Sequence, residues 1–148
     1  MTRTVNAIDI AASAGVIYAL AADTERWPAL LPHYRSVRVL ARAGATRTVE
    51  MKAMRDAIPI SWVAEQTDDA ATPEIRFRHV RGWTRGMDVV WRFEAIPGGT
   101  RVTIEHRLAF KFPVAAQWLG EHVVGGYFVH YVANRTLVRM KTLAEAAA

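Results

Sequence analysis

Between Tyr34 and Phe110 the chain alternates apolar and polar residues in six successive segments with only short breaks between them. Val37, Val39 and Ala41 alternate with Arg38, Leu40 and Arg42. Val49, Met51 and Ala53 alternate with Thr48, Glu50 and Lys52. Ile58, Ile60, Trp62 and Ala64 carry the next apolar face, followed by Ile75, Phe77 and His79, and then by Met87, Val89, Trp91 and Phe93. Val102, Ile104, His106, Leu108 and Phe110 close the series. A period of two marks strands with one face in a core and one in water. Short turns such as Gly44 and Pro97-Gly98-Gly99 leave no space for crossover helices, so neighbouring strands must run antiparallel. The single apolar face of such a meander has to be covered by another element.

The flanks supply that cover. Thr4 to Ile10 reads as one more strand, and Ser13 is placed to cap a short helix over Ala14–Ala22. Asp23 or Thr24 can cap a second helix through Trp27–Leu31, with Pro28 in its first turn. From Pro113 to about Ala147 the spacing is helical: Leu137, Met140 and Ala144 share a face. Traced back, that face takes in Asn134, His130, Tyr127 and Val123, with Gly125-Gly126 as a kink. The expected fold is α+β, a seven-stranded antiparallel sheet wrapped around a long C-terminal helix. Two short helices lie between strands 1 and 2, and one domain spans residues 1–148.

At 16.5 kDa the chain can bury a core without staples. The absence of cysteine excludes disulfides, iron–sulfur clusters, cysteine-ligated zinc and a thiol nucleophile. No apolar run reaches about 18 residues, so no integral membrane association is expected. The N-terminus lacks a signal peptide's apolar centre, which makes the cytoplasm the expected location. Sixteen of the 19 basic residues are arginine, and they outnumber the acids enough to give a charge of +5. They are scattered and alternate with acids along strands, as in Glu74-Ile75-Arg76, so they read as a solvated sheet face. No nucleic-acid partner is expected, and a homodimer is left open. No nucleotide loop, nucleophile elbow, paired carboxylates or metal-type histidine spacing can be read.

The informative residues are polar groups on apolar faces. His79 is in phase with Ile75 and Phe77, and His106 lies between Ile104 and Leu108. Hairpins centred near Thr84 and on Gly98-Gly99 put His79 opposite Val89 and His106 opposite Trp91. The imidazoles then stand roughly 10–12 Å apart, within reach of one ring-containing ligand. With an ordinary pKa of about 6.5, either ring can serve as acid, base or hydrogen-bond donor. Trp62 and Trp91 share the inward face, while Trp83 and Arg85 sit in a glycine-flanked turn that can cover a pocket mouth. Arg55 is in phase with Met51 and Ala53, and Tyr34 follows Pro32-His33. Tyr127, His130 and Asn134 fall on the inward helix face, where their polar tips call for a partly wet cavity. A small-molecule cavity is typically about 300–1,000 Å³.

The stretch from Val16 to Pro28, with Trp27-Pro28 after the acidic turn Asp23-Thr24-Glu25, carries a family likeness. So do Tyr34-Arg35-Ser36-Val37, Ser61-Trp62-Val63-Ala64-Glu65, Val90-Trp91 and Asn134-Arg135. Through them the chain resembles the polyketide cyclase/dehydrase (aromatase/cyclase-like) family of the START/Bet v 1-like superfamily. The resemblance implies a helix-grip fold with a cavity between sheet and helix. Some members fold poly-β-keto chains into aromatic rings; others carry lipids, quinones or hormones. In the aromatase/cyclases an inward arginine lies on the strand that corresponds here to Ile75–Val80, where the inward residue is His79 and Arg76 and Arg78 have outward parity. The expected function is binding of a hydrophobic, aromatic or polyketide-type molecule, with cofactor-free aldol cyclisation and dehydration. His79 or His106 would take a proton from an activated CH₂, and Arg55, Tyr34 or Arg85 would meet the enolate oxygen. Trp62, Trp83, Arg85, Trp91, Tyr127, His130 and Asn134 would contact the ligand. The alternative is a non-enzymatic carrier of a lipid, quinone or pigment.

Overall fold

A computed structural model describes residues 2–82, 84–108 and 128–147. Strand β1 (Thr2–Ile10) leads into helix α1 (Ala14–Ala22), a 3₁₀ turn (Thr24–Arg26) and helix α2 (Trp27–Leu30). Six strands follow: β2 (Tyr34–Ala43), β3 (Thr46–Arg55), β4 (Ile58–Asp69), β5 (Glu74–Arg81), β6 (Asp88–Ile96) and β7 (Gly99–Leu108). They form one antiparallel sheet in the order β1-β7-β6-β5-β4-β3-β2, so the first strand joins the far edge beside the last. The C-terminal helix (His130–Ala147) sends Ala133, Leu137, Met140 and Ala144 into the same core as Val49, Ile75, Trp91 and Ile104. The expected α+β architecture is the observed one.

Ser13 caps α1, its hydroxyl accepting from the Val16 N–H at 3.4 Å. The second helix has no side-chain cap, contrary to expectation. Thr24 gives its hydroxyl proton to Gln66 Oε1 at 2.7 Å instead, which ties the helix pair to β4. On the outer face Glu105 is gripped by Arg3 at 3.2 Å, Arg92 at 3.3 Å and Arg107. Hydrogen bonds from Arg3 and Arg107 hold its carboxyl down at about 2 despite the desolvation that opposes them. Among the described residues, no helix is long and apolar enough to cross a membrane.

Two readings of register need correction. Val89 pairs with Phe77 and with His106, and Trp91 pairs with Ile104. The anticipated partners of both histidines are therefore two residues out. The β6–β7 turn is Pro97-Gly98, where the fixed φ of proline suits the second position and Gly98 takes φ of +80° in the third. Gly99 is the first residue of β7, and only glycine fits there, since a Cβ would stand 2.1 Å from the Ile10 carbonyl oxygen. On the other side the His79 N–H donates to the Met87 carbonyl at 2.9 Å. Both hairpins slide in the same direction, so the two imidazoles keep their two-residue offset.

The helix face is the second correction. His130 and Asn134 are exposed, and the buried positions are Ala133, Thr136, Leu137 and Met140. Four residues back from Leu137 is Ala133, not Asn134, and its small side chain lets the helix approach the sheet. Tyr127, Val123, Gly125-Gly126 and the expected helix start near Pro113 lie outside the described residues, as does Trp83.

Candidate active site

A cavity of about 70 Å³ lies between the inward sheet face and the C-terminal helix. That is well short of the anticipated several hundred Å³. Trp27 forms one end, with its indole N–H donating to the Leu20 carbonyl at 3.2 Å. Its ring meets Tyr34 at 5.0 Å, Trp91 at 5.8 Å and Phe77 at 6.3 Å. This cluster follows from parity: Phe77 and Trp91 are inward on adjacent strands, and α2 lays Trp27 across them.

Polar groups occupy three places in this apolar wall. His79, only 6% exposed, lies face to face with Trp62 at 5.6 Å and 12°. Its Nδ1 is 2.7 Å from the Thr84 hydroxyl, which the turn after β5 folds back against it. Burial pushes the His79 pKa down to about 3, and nearby His106 adds to the effect. His106 is lowered to about 4 by burial, and its Nδ1 is buried without a hydrogen-bond partner among the described residues. At the third place Tyr34 and Thr136 line the cavity with His33 behind them, where the His33 Nε2 lies 2.9 Å from Thr136 Oγ1. Burial raises the Tyr34 phenol above its ordinary value, with the Thr136 hydroxyl acting the other way. Burial, helped by the charge of Arg135, brings His33 down to about 4. No lysine, arginine or carboxylate lines the cavity among the described residues, so at neutral pH its wall is polar but uncharged.

The structure thus brings Tyr34, Trp62, His79, Trp91 and His106 together. It does not bring in four others. Arg55 faces inward but stands at the end of β3, its guanidinium 4.1 Å above the Tyr131 ring. Arg85 is exposed in the turn after β5, and His130 and Asn134 are exposed on the helix. The ring of His130 instead meets the Asn6 amide nitrogen at 2.9 Å. Trp83 and Tyr127 lie outside the described residues. Trp27, His33, Thr84 and Thr136 are cavity-forming or cavity-supporting residues that pattern reading passed over; only Trp27 carried a signal, as part of the Trp-Pro pair. Replacing Thr84 with valine keeps the shape and strands His79 Nδ1, so we expect a loss of about 1–3 kcal/mol in urea unfolding. An unchanged unfolding midpoint would show that this contact carries no stability.

Against this geometry, the family model for polyketide cyclase / dehydrase and lipid transport proteins matches residues 10–123. The chain belongs to that family. A relative within it, the "Putative polyketide cyclase" of Streptomyces cyaneus, is 36% identical over 112 residues, 74% of each protein. Among solved structures, the Zhui aromatase/cyclase from Streptomyces sp. R1128 superposes with a TM-score of 0.84 at 15% identity, over 97% of this chain and 93% of that one. A START superfamily protein from Mycobacterium smegmatis gives 0.74 at 14% identity over 99% of both. These structural likenesses establish the helix-grip fold of this polyketide cyclase/dehydrase family member. The family includes both cyclase and lipid-transport members, so the chemistry has to be argued from the cavity.

Proposed function

We propose that the protein is a cofactor-free cyclase/dehydrase that takes an aromatic or poly-β-keto guest between the sheet and the C-terminal helix. One observation carries this reading: two neutral imidazoles, His79 and His106, stand among the aromatic and apolar side chains of an uncharged wall. In the observed register they are roughly 12 Å apart by strand geometry, which suits two carbonyl groups of one extended chain. With pKa values of about 3 and 4 they are weak bases but competent neutral N–H donors. An imidazole kept neutral polarises a carbonyl without first losing a charge. Donation from an imidazole to a ketone oxygen stabilises the enolate that forms when the neighbouring CH₂ gives its proton to a water molecule, which returns it to the aldol oxygen formed in the next step. That carbon then attacks a second carbonyl held in near-attack geometry by the aromatic walls, forming the C–C bond. Loss of the resulting hydroxyl with a ring proton releases water and completes the double bond. Trp62, stacked on His79, holds that ring at a fixed angle.

The test is turnover of a poly-β-ketone mimic by the wild type, His79→Gln and His106→Gln. Each substitution is expected to lower kcat by about 10²-fold or more, the range for a lost acid–base or polarising group. Melting of each variant separates this from unfolding. Tight binding without turnover in the wild type would mark the protein as a carrier and remove the enzymatic reading.

A further inference from the structure

The turn between β5 and β6 is built around His79. The His79 N–H donates to the Met87 carbonyl at 2.9 Å, and the Gly86 N–H donates back to the His79 carbonyl at 2.8 Å. Inside that loop the Met87 N–H donates to the Thr84 carbonyl at 2.9 Å, and the Arg85 N–H to the Gly82 carbonyl at 3.2 Å. These bonds hold Thr84 against the imidazole, with its hydroxyl oxygen 2.7 Å from Nδ1. The turn also lies against β4, where a Cβ on Gly82 would stand 2.9 Å from the Ser61 carbonyl oxygen. The next residue of β4, Trp62, stacks on the imidazole at 12°. Stacking fixes the plane of the ring, and the Thr84 contact tells its two edges apart. A half-turn of the ring in its plane would put a carbon where Nδ1 stands and lose the bond.

A neutral imidazole has one N–H and one lone pair. If Nδ1 held the proton, the Thr84 hydroxyl would accept it, and its own proton would be left without an acceptor among the described residues. Buried donors are seldom left that way. With the proton on Nε2 the hydroxyl donates to Nδ1 and is satisfied. The Nε2 position is not sealed: the histidine nitrogens shut in without a partner are Nδ1 of His33 and Nδ1 of His106. An N–H there has water or a guest to meet. We infer that Thr84 is the positioning residue for His79: its hydroxyl donates to Nδ1, holds the ring as the Nε2–H tautomer and so makes His79 a donor to a guest's carbonyl oxygen. The inference rests on the role proposed for His79 and names what enforces it. A lone pair at Nε2 would repel the same oxygen.

Nitrogen-15 spectra of the histidine rings read the tautomer in the wild-type protein, with no substrate and no variant. His79 should carry its proton on Nε2, and a protonated Nδ1 overturns the inference. Thr84→Val keeps the shape and removes the donor, while Thr84→Ser keeps the donor. With a poly-β-ketone mimic, Thr84→Val should lower kcat about tenfold or more while KM changes less than about twofold, a loss felt in the transition state. Its His79 resonances should move toward a protonated Nδ1. Thr84→Ser should show the wild-type tautomer and a kcat within about twofold of wild type. A folded Thr84→Val that keeps the wild-type kcat or the wild-type tautomer overturns the inference and leaves Thr84 as a packing residue. Failure of the wild type to turn over the mimic removes the catalytic reading instead, and the ring spectra still decide what Thr84 does to His79.

Discussion

Lowering the pH from 7 to 5 should strip the protein of roughly 5 kcal/mol of folding stability, well before its carboxylates titrate. His33, His79 and His106 are held at about 4, 3 and 4 in the folded state, below the ordinary 6.5 of an unfolded chain. Between those values the unfolded chain takes up protons that the folded chain refuses, so stability falls as pH falls. Each buried imidazole contributes a slope of about 1.4 kcal/mol per unit once the pH is below 6.5. The slope fades near pH 4, where the folded rings begin to charge as well. Glu105, held at about 2, adds a separate loss that begins below its unfolded value of 4.5. Urea unfolding at pH 7, 6 and 5 measures the effect, and His79→Phe should remove about a third of it. A flat profile across that range would mean that the rings are charged in the folded protein and the cavity is wet.

Gly99→Ala should be the most damaging single methyl group that can be added to the sheet. The new Cβ would lie 2.1 Å from the Ile10 carbonyl oxygen and 2.9 Å from its carbon, both backbone atoms that no rotamer change can move. Relief requires β1 and β7 to separate where Ile10 pairs with Thr100, and with them the Thr100 hydroxyl that donates to the Ala12 carbonyl at 2.9 Å. We expect a loss of about 3 kcal/mol or more, the upper end for overpacking. Gly15→Ala is the internal control: nothing lies within 4 Å of its Cβ position, and helix propensity favours alanine by up to about 1 kcal/mol. Comparable midpoints for the two variants would show that the β1–β7 junction yields freely.

These particulars also show where sequence reading succeeds and where it stops. Alternation is a local property, so the parity of His79, Trp91 and His106, and the outward placement of Arg76 and Arg78, could be read before any contact was known. Register is decided by which residues occupy a turn. With Pro97, Gly98 and Gly99 all turn-formers, local pattern leaves the centre of the turn open, and Gly99 is a strand residue lying against Ile10, some ninety residues away. The helix face failed for a related reason. Positions three and four residues before Leu137 fit a helix equally well, and a lone alanine is a weaker signal than a run of polar groups at helical spacing. Arg55 has the inward parity but lies outside the cavity lining, against the Tyr131 ring, and parity carries no information about depth along a strand. His33 and Thr136 meet only because β2 and the C-terminal helix do, across 103 residues.

The pairing of β1 with β7 has a consequence for how the chain comes to be folded. Thr2 faces Leu108 and Ile10 faces Thr100, so the N-terminal strand finds its hydrogen-bond partners only after about a hundred further residues exist. Synthesis makes β1 before β2 to β6, and its ladder groups have no β7 to pair with while those strands can form consecutive hairpins. Closure of so long a loop comes late and slowly, because its entropy is lost before the new contacts form. During that interval the edge of β1 is exposed long before its partner strand exists. Arg3 and Asp9, which in the folded sheet pair with Glu105 and Arg101, are charges of the kind that guard an unpaired strand edge against wrong partners.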